Sequence, residues 1–440
     1  MKLFNDFIYI LALIVISPKI LYRVIIQNRY RQDWSERLGK VSRNSPDKKC
    51  IWIHAVSVGE VNATKTIITE LKKHLPEFEI ILSATTDTGI EQARKLYSQE
   101  LKVFYFPFDF SSVIDRAFEN IRPDICLLME LEVWPNFTSK AHQLKIPVVV
   151  VNGRISDRSF PKYNLIKPFI KPVFEKVSLF LAQSEEYAQR FTSLGGKKNA
   201  TIITGSLKYD TAQITEKVEG ADLLAGQLNI TDKHLLVAGG TGPKEEKIIL
   251  DVFKKLKKKD NYSDLRLVIV PRKPERFDKV EKLIKKSGFE LVRYSKIKSG
   301  EKKAANQACP LWRNTVILGD TMGDLRKFYS SATVVFVGRS LVPMGGSDMM
   351  ESAAMGKCTI FGPHTFNFKE TVKSLLQAQG AIEVKDGGKL FKTIQKCLDE
   401  PQFAEQIARN GQQVIKQNQG ATEKCISAII NLLKEKKIVS

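Results

Sequence analysis

The residues from Val316 to Phe368 read VILGDTMGDLRKFYSSATVVFVGRSLVPMGGSDMMESAAMGKCTIFGPHTFNF. Three short apolar runs, Val316–Leu318, Thr333–Val337 and Cys358–Phe361, alternate with two segments of helical character. Strands buried on both faces read as continuous apolar runs, so this alternation predicts βαβ units on a parallel sheet. Each run ends in glycine, at Gly319, Gly338 and Gly362, where the strand tips of such sheets carry ligand-binding loops. Gly345-Gly346-Ser347 then leads into Asp348–Met355, a run of helix formers. Glycine lets the backbone come close to a ligand, and a helix start offers free N–H groups to a phosphate. Glu351, one turn in, is placed to accept hydrogen bonds from a ribose diol. Ordinary turn chemistry accounts for the same glycines, so this stretch alone leaves both readings open.

A chain of 440 residues predicts two or three domains with sizeable cores. Its 69 basic and 48 acidic residues leave a net charge of +21. Such an excess points to an anionic partner: nucleic acid, a phosphorylated substrate or a membrane surface. A solvated lysine-rich surface is the plainer account of runs such as 254–259. Six cysteines (50, 126, 309, 358, 397 and 425) lie far apart with no CxxC pair. They read as reduced core residues, neither disulfides nor zinc ligands. The five histidines show no HxxxH spacing, so neither a metal cluster nor a cofactor is expected.

The N-terminus carries the membrane signal. Phe7–Ile16 is almost uninterrupted apolar sequence and Ile20–Ile26 resumes it, which makes residues 3–26 long enough to span a bilayer. Asp6, Lys19 and Arg23 interrupt the run, and an amphipathic helix lying on the surface is the alternative. No small-x-small cleavage site follows, and Arg23, Arg29, Arg31 and Arg37 favour a body kept in the cytoplasm.

Strands are expected at Cys50–Ala55, Glu79–Ala84, Val103–Phe106, Ile125–Met129, Val148–Val151 and Leu179–Gln183, with helical stretches between several of them. They make one doubly wound sheet. Thr211–Ile230 is polar, shows little periodicity and reads as a connector. A second sheet opens at His234–Gly239, passes Gly240-Thr241-Gly242 into a helix rich in Lys and Glu, and continues through Leu265–Val270. Thr422–Lys436 closes the chain as an amphipathic helix. The resulting division is an anchor over 1–26, a Rossmann-like acceptor domain over 27–212 and a connector over 213–230. A Rossmann-like nucleotide-sugar domain over 231–412 and a helical segment over 413–440 complete it. Two such α/β domains in tandem predict a cleft between them, as in a two-domain glycosyltransferase.

Polar residues at strand ends are the candidates for chemistry. Glu60 follows Ser57-Val58-Gly59 at a helix start, where the dipole and nearby N–H groups are expected to depress its pKa. By residue type alone, plain helix capping is the more ordinary account of a glutamate there. Glu130 and Glu132 follow a buried strand and precede Trp134-Pro135, a position that solubility does not explain. Lys208 lies where the first domain hands over to the connector, facing either a cleft or solvent. Between Pro161 and Val177, Lys162, Lys167, Lys171 and Lys176 alternate with Tyr163, Leu165, Ile166, Phe169, Ile170, Val173 and Phe174. Three prolines break this segment into short helical pieces, which either dock on an anionic membrane surface or pack into the first domain.

These motifs together resemble one family, the 3-deoxy-D-manno-octulosonic acid (Kdo) transferases of lipopolysaccharide biosynthesis. The resemblance rests on six ordered stretches: His54–Glu60, Met129–Pro135, Val151–Ser159, Val270–Arg272, Leu318–Asp324 and Gly362–Phe368. It implies a GT-B fold and metal-free, inverting transfer of Kdo from CMP-Kdo to the sugar of a lipid A precursor (lipid IVA), at the inner membrane. By that resemblance Glu60 is the general base, and Glu130 and Lys208 stabilise the transition state. Pro271, Arg272, Met322, Gly323, Asp324, Asp348, Met349, Met350 and Glu351 match CMP-contacting positions, with Arg272 on the phosphate and Glu351 on the ribose. The chain departs from the family's usual pattern in three places. Gly345–Glu351 stands where Gly-Gly-His-Asn-Pro-Leu-Glu is usual, Gly240-Thr241-Gly242 replaces Ser-Thr-His, and Asp324 replaces Glu.

Two alternatives stand beside this reading. One is a GT-B transferase using a different nucleotide sugar. The other is a basic nucleic-acid-binding protein, which the dispersed charge and the lack of RNP, KH or helix-turn-helix signatures disfavour.

Overall fold

The computed structural model describes residues 6, 7, 9–11, 17, 33–215, 217–231, 233–300 and 314–439. Most of the expected anchor, and Cys309, lie outside the described residues. Among the described residues no helix is long and apolar enough to cross a membrane. The chain divides into two compact units, residues 1–211 with 418–440, and residues 212–417.

The first unit is built on β1 (Lys49–Ala55), β2 (Phe78–Ala84), β3 (Lys102–Tyr105), β4 (Ile125–Met129), β5 (Val148–Gly153), β6 (Leu179–Ala182) and β7 (Thr201–Ile203). All pairings are parallel, in the order β3-β2-β1-β4-β5-β6-β7. The two-residue period of a strand sorts the side chains to opposite faces. Ile51, Ile53 and Ala55 join Ile125, Leu127 and Met129 in one core, while Cys50 and Trp52 join Cys126 and Leu128 in the other. Trp52 packs its ring 5.0 Å from that of Phe137 and donates its indole N–H to Ser83 Oγ at 2.8 Å. Helix Val58–His74 buries Val61, Thr64, Ile67, Ile68 and Leu71, an i, i+3, i+4 stripe, against the first core. The last helix, Ala421–Glu435, covers the same core with Cys425, Ile426, Ile429, Leu432 and Leu433. Asp210 fixes its start by accepting the N–H groups of Gly420, at 2.7 Å, and Thr422. Position 413 falls inside helix Pro401–Asn418, and the change of unit comes after residue 417.

The second unit contains β8 (Leu235–Thr241), β9 (Arg266–Pro271), β10 (Glu290–Arg293), β11 (Thr315–Leu318), β12 (Val334–Val337), β13 (Cys358–Phe361) and β14 (Ile382–Glu383). They pair in parallel in the order β10-β11-β9-β8-β12-β13-β14. The stretch read as a featureless connector contains helix Ala221–Leu228, which belongs to this unit. Ala221, Leu224, Ala225 and Leu228 are buried at helical spacing, and Asn229 ends the helix in the left-handed conformation.

Strand order reverses between β1 and β4 in the first sheet and between β8 and β12 in the second. Crevices for ligands open at the carboxyl ends of the strands flanking such reversals.

Candidate active site

At the first reversal, β1 runs through Val56-Ser57 into the helix that begins at Val58. Glu60 turns back on this corner, with Oε2 accepting the Val56 N–H and Oε1 the Ser57 hydroxyl, both at 2.8 Å. The carboxylate therefore closes the helix start much as a capping-box glutamate does. Its pKa is raised rather than depressed as expected. Burial is the largest influence, the N–H and hydroxyl bonds oppose it, and the charge of Glu130 adds to it. The sequence displays the local donors, whereas the burial and the charge of Glu130 appear only in the folded chain.

Glu130 directly follows β4 with φ +55°, and its N–H is held by Val151 O at 2.9 Å. Glu132 Oε2 accepts the Trp134 indole N–H at 3.0 Å. Burial, followed by the charge of Glu60, pushes Glu132 up to about 7. Three carboxylates thus share one electrostatic environment at the β1/β4 tips. His54 beside them is stacked on Phe106 at 3.8 Å, and burial pushes it down to about 3. It is neutral at physiological pH.

Lys208 reaches this sheet edge by another route. Asn152 at the end of β5 accepts the Leu207 N–H through Oδ1, and Leu207 begins the short helix Leu207–Thr211. Lys208 is half-buried, with no carboxylate within 4 Å among the described residues. Arg154, two residues past Asn152, has a buried Nε without a hydrogen-bond partner. Arg154 lies in the Val151–Ser159 stretch, where residue type alone marks it for no role.

In the second unit Arg272 directly follows β9, its N–H donated to Thr241 O at 3.0 Å and its side chain exposed. Pro271, the last residue of β9, is buried. Met322 is 66% exposed at the loop after β11, next to Gly323 with φ +91°. Asp324 is buried. Desolvation opposes its ionisation, but bonds from Lys298 at 2.7 Å, Lys327 at 3.0 Å and Thr321 at 2.8 Å hold it below the usual carboxylate range. Asp348 Oδ1 accepts the Met350 N–H at 2.9 Å. Glu351 is pushed up to about 7 by burial and then by Asp348, against the opposing charges of Arg326 and Arg272. Arg272, Asp348 and Glu351 are therefore one electrostatic group. Met349 and Met350 are 0% and 2% exposed, so their side chains belong to the interior and offer a ligand no surface.

Two acids in the helix rich in Lys and Glu prove to be the internal frame of this site. Glu245 accepts the N–H groups of Gly242, Arg339, Ser340 and Leu341 at 3.2, 2.6, 3.0 and 3.0 Å, tying the β8 tip to the β12 tip. Glu246 takes Arg276 at 2.8 and 2.9 Å, together with the Thr241 hydroxyl. Their position just after a glycine loop was the available signal. Among the described residues no group of three His, Cys, Asp or Glu side chains is placed to hold a metal ion. The five described cysteines are free and buried.

Two doubly wound parallel sheets, each with charged residues at its reversal point, place the chain in the GT-B class of α/β fold. The family model for 3-deoxy-D-manno-octulosonic-acid transferase (kdotransferase) matches residues 32–211. A 3-deoxy-D-manno-octulosonic acid transferase of Haemophilus influenzae is 33% identical over 429 residues, 96% of this chain and 97% of that protein. One from Bordetella pertussis is 28% identical over 402 residues, 89% of this chain and 90% of that protein. The solved UDP-GlcNAc 2-epimerase of Neisseria meningitidis shares the fold, with a TM-score of 0.55 and 15% identity across 87% of this chain and all of that one. The chain belongs to the 3-deoxy-D-manno-octulosonic acid transferase family.

Proposed function

We propose that this protein transfers Kdo from CMP-Kdo to a sugar hydroxyl of a lipid A precursor, in one inverting displacement and without a metal ion. The observation that carries the mechanism is the setting of Glu60: a carboxylate fixed by two hydrogen bonds at a sheet reversal, its pKa raised by burial. A general base works best when its pKa approaches the working pH. Glu60 takes the proton of the acceptor hydroxyl as that oxygen bonds to the anomeric carbon. The bond from that carbon to the phosphate breaks, and CMP leaves with the electron pair. Positive charge develops on the sugar and negative charge on the phosphate, so Glu130 and Lys208 act as fixed countercharges. Arg272 neutralises the phosphate, Glu351 and Asp348 bind the ribose, and Met322 and Gly323 border the nucleotide.

The acceptor carries acyl chains, so the proposal places the protein at the inner membrane with its body on the cytoplasmic side. Residues 3–26 serve as anchor and the basic surface around Lys162 and Lys171 meets anionic headgroups. The test is incubation of purified protein with CMP-Kdo and tetraacyl lipid A precursor in detergent, with and without EDTA, followed by product mass spectrometry. A mass increase of one or more Kdo units that survives EDTA is the expected result. No transfer in any detergent sinks the proposal.

A further inference from the structure

The second unit carries a guanidinium at its sheet reversal that none of the roles above uses. Arg339 lies two residues past β12, which together with β8 flanks the point where strand order reverses. Its backbone sits in the left-handed region at φ +60°, a conformation that costs a non-glycine residue roughly 1–2 kcal/mol. Three bonds hold it there. Glu245 accepts its N–H at 2.6 Å, its carbonyl accepts the Gly346 N–H at 2.8 Å, and its Nη2 donates to Met344 O at 3.0 Å.

The side chain lies over Gly242. A Cβ at that position would come within 3.1 Å of Arg339 Cγ and 2.8 Å of Met344 Sδ, so the missing side chain at 242 is what gives Arg339 its place. The neighbouring loops are packed just as tightly. A Cβ on Gly338 would meet Thr241 Cα at 2.5 Å, and one on Gly240 would meet Ser347 Oγ at 2.5 Å. Other charges nearby are matched: Glu245 by four N–H groups, Glu246 by Arg276, and Asp324 by Lys298 and Lys327. Arg339 is not. Its Nε is buried without a hydrogen-bond partner, and among the described residues no carboxylate lies within 4 Å of its guanidinium.

Arg272 and Arg339 follow β9 and β12, the neighbours of β8 on its two sides. Their backbones are therefore about two strand spacings apart, roughly 10 Å, bracketing Gly240-Thr241-Gly242. An activated acidic sugar presents two anions on one carbon, the phosphodiester and the sugar carboxylate. A guanidinium fork matches a carboxylate in shape and charge. We propose that Arg339 binds the carboxylate of the donor sugar while Arg272 takes the phosphate. Arg339 is then a specificity-determining residue that selects acidic sugars. The assignment rests on the Kdo-transferase reading.

Steady-state kinetics on the full-length protein test it, using Arg339→Gly, which suits the left-handed backbone, and Arg339→Lys, which keeps the charge. Two constants are read in one assay: KM for CMP-Kdo, and the competitive inhibition constant of CMP, which has a phosphate but no sugar carboxylate. Arg339→Gly is expected to raise KM roughly 10- to 100-fold and to leave CMP inhibition within about twofold, with Arg339→Lys intermediate. A merely structural loss moves both constants or neither. If CMP inhibition weakens in step with KM, or if neither changes, the proposal is overturned. A wild-type protein that transfers no Kdo overturns the functional reading instead.

Discussion

Asn152 Oδ1 accepts the N–H of Leu207 at 3.1 Å, across 55 residues of chain. Through that bond the tip of β5 positions the helix that carries Lys208. Asn152 is itself buried at φ +57°, and its carbonyl accepts from Gln183 Nε2 at 2.9 Å. Asn152→Ala orphans a buried donor, at a cost of roughly 1–3 kcal/mol, and adds about 1 kcal/mol for a left-handed alanine. Asn152→Gly carries only the first cost. Urea denaturation is expected to rank stability as wild type, then glycine, then alanine. Alanine equal to or better than glycine contradicts the backbone argument.

Glu60→Gln keeps an oxygen to accept the Val56 N–H and removes the proton acceptor. Loss of a general base costs about 10²–10⁴-fold in rate. We expect kcat to fall by that range while the thermal midpoint stays within a few degrees and CMP binding is unchanged. More than a tenth of wild-type kcat would rule out Glu60 as the base.

The carboxylate cluster makes pH a direct probe. Burial first, and then Glu130, raise the Glu60 pKa. The acid limb of kcat/KM is expected above the ordinary carboxylate range, and Glu130→Gln is expected to move it to lower pH by removing a like charge. Stability follows the opposite sense to a salt-bridged acid. Burial lifts the Glu132 carboxyl from its ordinary 4.5 to about 7, so the folded state holds its proton more tightly. Its contribution is fully present below about 4.5 and is lost as pH rises through about 7. Glu132→Gln should therefore melt above wild type at pH 8, with the gap closing towards pH 4.5. A gap independent of pH would show that Glu132 does not titrate in this window.

The contact between Gly240 and Ser347 is testable as a pair. Gly240 sits at φ +66°, and a Cβ there would meet both Oγ and Cβ of Ser347, at 2.5 and 2.7 Å. Gly240→Ala is expected to destabilise by about 2–4 kcal/mol, from overpacking and backbone strain combined. Adding Ser347→Gly should relieve the packing part while losing the 2.7 Å bond from Ser347 Oγ to Gly240 O. The relief is therefore read as the coupling left after the Ser347→Gly single variant is subtracted. A double-mutant cycle showing additive costs would mean the two positions do not touch.

Much of this fold is legible in the sequence because its central strands are covered on both faces and read as apolar runs. The strands that escaped the reading are β7, β10 and β14, all at sheet edges and partly exposed. These three edge strands have one neighbour and half-solvated side chains, so no long apolar run marks them, whereas the buried edge strand β3 was legible. Helix Ala221–Leu228 escaped because Asp222, Gly226 and Gln227 dilute a stripe that only its burial reveals. In the site, Glu60 and Glu130 were visible as polar residues at strand ends, and Arg272 through the family resemblance. The sense of the Glu60 shift was not, because its burial and the approach of Glu130 exist only in the folded chain. Arg339 stood in plain view, but its place depends on a glycine in another loop, at position 242.

Two short helices, Phe160–Leu165 and Lys167–Phe174, occupy the segment read as either a membrane face or a core element. The structure divides it. Val173 and Phe174 are buried, and Lys176 donates to Ser139 Oγ at 2.8 Å, so that end belongs to the first unit. Leu165 and Phe169 are 84% and 65% exposed, with Lys162 and Lys171 exposed beside them. Apolar side chains set among lysines suit an anionic bilayer surface, where each lysine contributes about 1 kcal/mol. Phe169→Trp in the full-length protein reads this face directly, whatever the N-terminus does. Brominated lipid in anionic vesicles is expected to quench the added fluorescence. Changing Lys162, Lys167 and Lys171 to Gln should weaken the quenching at low salt and have less effect at high salt, where surface charge is screened. If brominated vesicles quench Phe169→Trp no more than wild type, this face does not enter the membrane, and the acceptor reaches Glu60 from another side.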